Sequence, residues 1–281
     1  MAFRKGSILS VVTLLLGLSL VLDPAPSFGQ TQEPDVIPLP EPRTPLSEGK
    51  HNSLGFEVMI NNFGFGIGGH YSRVLGPFTQ LTFETGITGI RDVSEQTFTD
   101  PFFGQQIIPN KYNRAMAFPF MFGLKKRFFA QKISDNFRFF VAGSGGPVLA
   151  FVYPYFNDSN GNGFRDNFII NTDNGPVRRT ESVNDFFSGW KDGETQWGMA
   201  GEFKVGVDIG ENFSKLTTVE FGYYFYYFTE GIQMMEPRRP VINNQGQYVP
   251  NPDGTLASEP FFDAQKYYGT PQITLTFGGM W

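Results

Sequence analysis

The chain reads as an all-β protein, an eight-stranded antiparallel up-and-down barrel that crosses a membrane. Three observations predict it. Segment after segment alternates apolar and polar side chains with a period of two, the pattern of a strand with one greasy and one wet face. Aromatic residues make up 16 % of the 281 residues, with 32 Phe and 33 Gly, far from ordinary globular usage. Yet the mean hydropathy is only −0.21 and the net charge −5. Lipid-facing and lumen-facing positions that alternate along each strand cancel in such an average.

The first residues, "MAFRKGSILSVVTLLLGLSLVLDPAPSFGQ", combine Arg4 and Lys5, an apolar run from Ile8 to Leu22, and small residues at Ser27 and Gly29. This predicts a secretory signal peptide over residues 1–29, cleaved before Gln30. The run is too short for a comfortable membrane helix. There is no cysteine, so the exported chain is expected to hold together without disulfides and without a lipoprotein anchor. Residues 30–52 are proline-rich and carry no period, which predicts a flexible or extended periplasmic tail. The barrel is expected over residues 53–281.

Its strands follow in order. Leu54, Phe56, Val58 and Ile60 alternate with Gly55, Glu57 and Met59. Phe63, Phe65, Ile67 and Tyr71 oppose Gly64, Gly66, Gly68, His70 and Ser72. Leu81, Phe83 and Ile87 oppose Thr82, Glu84 and Thr88. Phe118, Phe120, Phe122 and Leu124 oppose Ala117, Met121 and Lys125, and Phe137, Phe139 and Val141 oppose Arg138 and Ala142. Trp197, Met199, Phe203, Val205, Val207 and Ile209 oppose Glu202, Lys204 and Asp208. Val219, Phe221, Tyr223, Phe225 and Tyr227 oppose Thr218, Glu220 and Gly222. Finally Ile273, Leu275 and Phe277, with Trp281 beyond, oppose Gln272, Thr274 and Thr276.

The connections alternate as well. "LGPF" near 75–78, "AQKISDN" at 130–136 and "ENFS" at 211–214 are short; 92–111, 154–195 and 230–266 are long. Bacterial outer-membrane barrels have short periplasmic turns and long outer loops. An even strand count puts both ends of the barrel in the periplasm, and closure removes the sheet edge that lipid cannot satisfy. A soluble lipocalin-like barrel would carry the opposite phase, with its charges outside. The terminal strand "PQITLTFGGMW" resembles the C-terminal signal by which the assembly machinery recognises outer-membrane proteins. The whole barrel resembles, in architecture, the small eight-stranded family that includes the OmpA membrane domain and OmpX-like proteins. The resemblance implies a cell outer membrane location and contact with outer-membrane lipid and lipopolysaccharide.

Four constellations carry chemistry. Glu57, His70, Glu84, Lys125, Arg127, Arg138, Glu202, Lys204, Asp208 and Glu220 all fall on the lumen phase. A lumen this narrow holds little beyond side chains, so buried charges must pair; a salt-bridge plug is the expectation, a narrow ion path the alternative. His70, Ser72 and Glu84 resemble the catalytic set of the lipid A deacylases, in which Ser72 would attack an ester, His70 take its proton and Glu84 orient the imidazole. Their lumen phase, their nearness to a periplasmic turn and Arg73 after the serine count against that reading. Asp158, Asn160, Asn162 and Asp166 follow a calcium-loop spacing with Gly163 at the sharp turn, although Ile169 stands where the last glutamate would be; calcium binding and plain turn chemistry both suit them. "FGYYFYYF" at 221–228 reads as an interfacial aromatic girdle, and Arg238 and Arg239 as a solvated pair able to meet lipid phosphate. No phosphate loop, no cysteine ligand and no basic stripe point to nucleotides, thiolate metals or nucleic acid. The expected function is therefore non-enzymatic: a structural, adhesive or ligand-recognising barrel acting through its outer loops. A lipid-modifying enzyme and a narrow channel for small or hydrophobic solutes are the alternatives.

Overall fold

A computed structural model describes residues 41–99, 106–133, 135–172 and 175–281. The expected signal peptide and the first part of the tail lie outside them. Eight strands form the wall: β1 (Asn52–Asn61), β2 (Gly64–Gly76), β3 (Thr79–Ile90), β4 (Asn113–Arg127), β5 (Phe137–Pro154), β6 (Glu194–Ile209), β7 (Lys215–Ile232) and β8 (Gln265–Met280). Each pairs antiparallel with its chain neighbours, and β8 returns to β1 with Phe277 opposite Phe56. The barrel is closed, as predicted.

The phase is also as predicted. Phe56, Phe65, Phe122, Phe203, Phe221 and Phe277 each expose half or more of their surface, while Glu57, His70, Glu84, Lys125, Glu202, Lys204 and Glu220 are buried. The outer surface is a belt of phenylalanine and aliphatic residues; the lumen is where the charges sit. Loops 91–112, 155–193 and 233–264 leave one end of the wall, and the turns 77–78, 128–136 and 210–214 leave the other. Three short hairpins extend the loops, at Phe98–Thr99 with Gln106–Ile107, Asn167–Thr172 with Gly175–Thr180, and Arg238–Pro240 with Ser258–Pro260.

Two features depart from a regular wall. Proline lacks an N–H and is rare inside sheets, yet Pro119 and Pro147 lie in adjacent wall strands. The β3–β4 ladder skips from Thr85–Phe120 to Thr88–Ala117, and the β4–β5 ladder from Pro119–Val148 to Phe122–Gly145. Inward glycines, in turn, face the largest lumen side chains. A Cβ on Gly206 would sit 2.4 Å from the Phe140 ring, one on Gly198 2.5 Å from Phe228, and one on Gly222 2.8 Å from Lys204 Cβ.

The last residues of the proline-rich segment are tethered to the end of the barrel that carries the short turns. Arg43 donates to Glu211 O (2.8 Å) and pairs with Glu48, its N–H bonds Asp135, and Arg127 donates to its carbonyl (2.8 Å). A guanidinium placed between two turns that carry acids and free carbonyls has enough partners to hold the chain across that end. The Arg127 pairing with Asp135 holds the Asp135 carboxyl below its usual range.

Candidate functional site

The lumen divides at mid-height. Across the middle and toward the turns it is ionic. His70 on β2 stands directly opposite Glu84 on β3, with Glu57 on β1 diagonal to it. From the far wall Lys204 on β6 reaches across and donates to Glu84 Oε2 at 2.6 Å; its ammonium is also 3.2 Å from Glu202 Oε1 and 3.3 Å from Glu220 Oε2. Glu202 accepts a further bond from Ser144 (2.6 Å). Nearer the turns Lys125 donates to Asp208 (2.7 Å) and lies 3.7 Å over the Phe140 ring, while Thr218 caps the same carboxylate oxygen. These groups are buried, and a charge among them is stable only while its partner is in place.

Toward the loops the filling is apolar. Tyr224, Tyr226 and Phe228 from β7 join Tyr268 from β8, Ile232, Met234 and the small residues Ala117, Val148, Ala150 and Ala200 in one buried cluster. Phe63, expected on the outer face, sits in the β1–β2 turn and tilts inward onto Tyr226, with ring centroids 6.5 Å apart. The aromatic run 221–228 is thus only half a girdle. Its odd positions face outward and its even ones fill the lumen, because a strand of consecutive aromatics must put rings on both faces.

The structure also locates the remaining candidates. Ser72 Oγ is bonded to Ser53 Oγ (2.6 Å) and to Gln80 (2.9 Å) and makes no bond to His70. The nucleophile–base pair of the esterase reading is not assembled, while His70 and Glu84 are brought together. Asp158, Asn160, Asn162 and Asp166 do converge. Asp158 accepts the N–H groups of Asn162 (3.1 Å) and Gly163 (2.9 Å), and Asp166 Oδ2 accepts both asparagine amides (2.8 Å each). Gly163 takes a φ of 82°, as the sharp turn requires. Asp166 Oδ1 is buried without a hydrogen-bond partner. Arg239 pairs with Glu259 and Arg238 bonds Ser258, so both arginines are already engaged.

Around the Asp158 loop the outer connections knit together. Tyr112 donates to Asp158 (3.2 Å), Arg165 N–H bonds Glu236 (2.9 Å), Arg114 donates to Asn184 and Asp185 carbonyls, and Lys111 bridges to Met235. Burial pushes the Glu236 carboxyl up to about 7, with Asp158 and Asp166 adding to it, and burial beside Asp158 pushes the Tyr112 phenol up to about 12. Sequence reading missed this cap and Glu236, since contacts between loops far apart in the chain leave no periodic trace.

No protein-family model matches this chain, and no curated protein does. Among solved structures it is similar to the N-terminal β-barrel domain of OprF from Pseudomonas aeruginosa, at 10 % identity over 82 % of this chain and 98 % of that one, with a TM-score of 0.30. It is similar also to CarO2 of Acinetobacter baumannii (11 %, covering 82 % of this chain and 98 % of that one, TM-score 0.28) and to CarO of the same organism (10 %, 81 % and 97 %, 0.28). What is shared is the barrel fold alone, and for this chain that fold rests on the register of its own eight strands.

Proposed function

We propose that the protein is a non-enzymatic outer-membrane barrel with a sealed lumen, serving as a rigid mount for a cap of outer loops that recognises a ligand outside the cell. The observation that carries this reading is the double filling of the lumen, ions around Lys204 and rings around Tyr226. The apolar belt supports a lipid environment, because a surface of that kind and extent is stable only when covered. The cross-linked cap supports recognition, since loops on a rigid scaffold are where binding residues concentrate. Calcium at Asp158 and Asp166 belongs to the same reading; it would stiffen the cap, and added Ca²⁺ is expected to slow protease cleavage within 155–193.

Planar-bilayer recording of the purified protein tests the sealed lumen. We expect no stepwise conductance; porin-sized ohmic steps would overturn the reading in favour of a channel. The esterase alternative is tested by mass spectrometry of lipid A from cells expressing wild type or Ser72→Ala. We expect identical profiles, because Ser72 Oγ is bonded to Ser53 and Gln80 rather than to His70. A deacylated species seen only with wild type would make the protein an enzyme.

A further inference from the structure

Glu57, His70 and Glu84 are the one group of three metal-capable side chains that converges among the described residues, their ligand atoms all lying within 4.8 Å of one another. His70 Nδ1 is 3.4 Å from Glu57 Oε1 and 3.4 Å from Glu84 Oε1, and the side chains are 5 % exposed or less. The three atoms face one another at ion-pair range without a well-formed hydrogen bond to any of them. Buried polar atoms nearly always make such bonds, so a trio held this wide needs an explanation.

The spacing supplies one. Metal bonds of about 2.1 Å in a tetrahedral arrangement set neighbouring donors roughly 3.4 Å apart. Both nitrogen–oxygen separations match that edge, whereas a direct hydrogen bond would draw them to about 2.9 Å. The charges permit it. Glu57, Glu84, Glu202 and Glu220 are four buried carboxyl groups faced within this cluster by Lys204 and by the His70 ring; Lys125 is matched by Asp208. Lys204 engages Oε2 of Glu84 and leaves Oε1 turned toward His70, so ammonium and metal would share that carboxylate without competing. Gly68 stands opposite Glu57 on the neighbouring strand, where a Cβ would meet Thr85 O at 2.7 Å and Glu57 Oε2 at 3.3 Å. One imidazole nitrogen with two carboxylate oxygens suits borderline divalent ions such as zinc rather than calcium, which takes oxygen ligands.

We propose that Glu57, His70 and Glu84 bind one divalent transition-metal cation of the zinc class inside the barrel. The site would lock β1, β2 and β3 together at mid-lumen and would be filled as the chain folds, since the closed lumen restricts later entry.

The test folds the full barrel from urea into detergent with Co²⁺ as a visible probe, followed by Zn²⁺. Wild type is expected to show the absorption of tetrahedral Co²⁺, saturating at one ion per barrel, lost on Zn²⁺ exchange, and to retain zinc through desalting. His70→Gln and Glu57→Gln should each weaken uptake by at least about tenfold, while Ser72→Ala, two residues from His70, should bind as wild type does. Heat-modifiable mobility in gels checks that each variant is folded, and Glu57→Gln, nearly isosteric, serves if His70→Gln fails that check. A folded wild type that takes up neither ion, or a folded Glu57→Gln that binds as tightly as wild type, would overturn the proposal and leave His70 as an imidazolium held between two glutamates.

Discussion

On β7 the change of filling happens across one glycine. Glu220 belongs to the ionic half of the lumen and Tyr224 to the apolar half, with Gly222 between them. The two halves close the same tube by different physics. In the ionic half each charged group depends on specific partners, as Glu84 does on Lys204 from the far wall, and removing one strands several others. In the aromatic half the contacts are many, individually weak and interchangeable, so losses scale with the volume removed. A tube sealed by ions alone would be sensitive to water entry. Placing rings between those ions and the loops keeps their dielectric low and their pairing strong.

The sharpest way to break this contrast is Lys204→Met. It leaves three carboxylates around an apolar side chain and is expected to cost about 3–5 kcal/mol, read as the urea midpoint of the heat-modifiable band. Loss no larger than for an aromatic truncation would erase the distinction. Phe228→Ala, at a fully buried position, is expected to cost about 3 kcal/mol with the same value in low and high salt. A strong salt dependence would show that the rings act through the ions rather than by packing. Tyr268→Phe removes one hydroxyl that donates to Ile232 O at 3.0 Å and is expected to cost about 1 kcal/mol.

The smallest effect lies outside the wall. Glu236 keeps its proton to about 7 in the folded cap and to 4.5 without it. The folded cap therefore holds more protons between those values, so its stability falls as pH rises through that window and levels off above it. Hydrogen-exchange protection across 155–193, corrected for the intrinsic rise of amide exchange with pH, should fall between pH 5 and pH 8 while that of the wall strands stays unchanged, and Glu236→Gln should remove the difference. Equal protection at both pH values would detach Glu236 from the cap.

Much of this was legible because a strand writes its two faces alternately. The period placed all eight strands, the closing pair β1–β8, and the inward side of Glu57, Lys125 and Lys204. Partner choice was not legible. Lys204 and Glu84 sit 120 residues apart on strands that are not neighbours, and no pattern within either strand names the other. At Ser72 the spacing to His70 resembles a catalytic pair, and the partners it does have, Ser53 and Gln80, lie on the adjoining strands where no local spacing names them. The phase of "FGYYFYYF" was readable from Glu220 and Gly222, but a uniform aromatic run gives no sign that its inward rings fill the lumen instead of joining a girdle.

The inward glycines have a consequence for how such a chain can change. Eight paired strands fix the circumference, so each layer of the tube has a set cross-sectional area to share among its occupants. Gly198 yields its portion to Phe228, Gly206 to Phe140 and Gly222 to Lys204. An added methyl at any of these cannot be accommodated by widening the ring, because the hydrogen-bonded wall does not stretch. Large and small residues within one layer must therefore be exchanged together, and a glycine here is bound to a partner on another strand as firmly as any ion is.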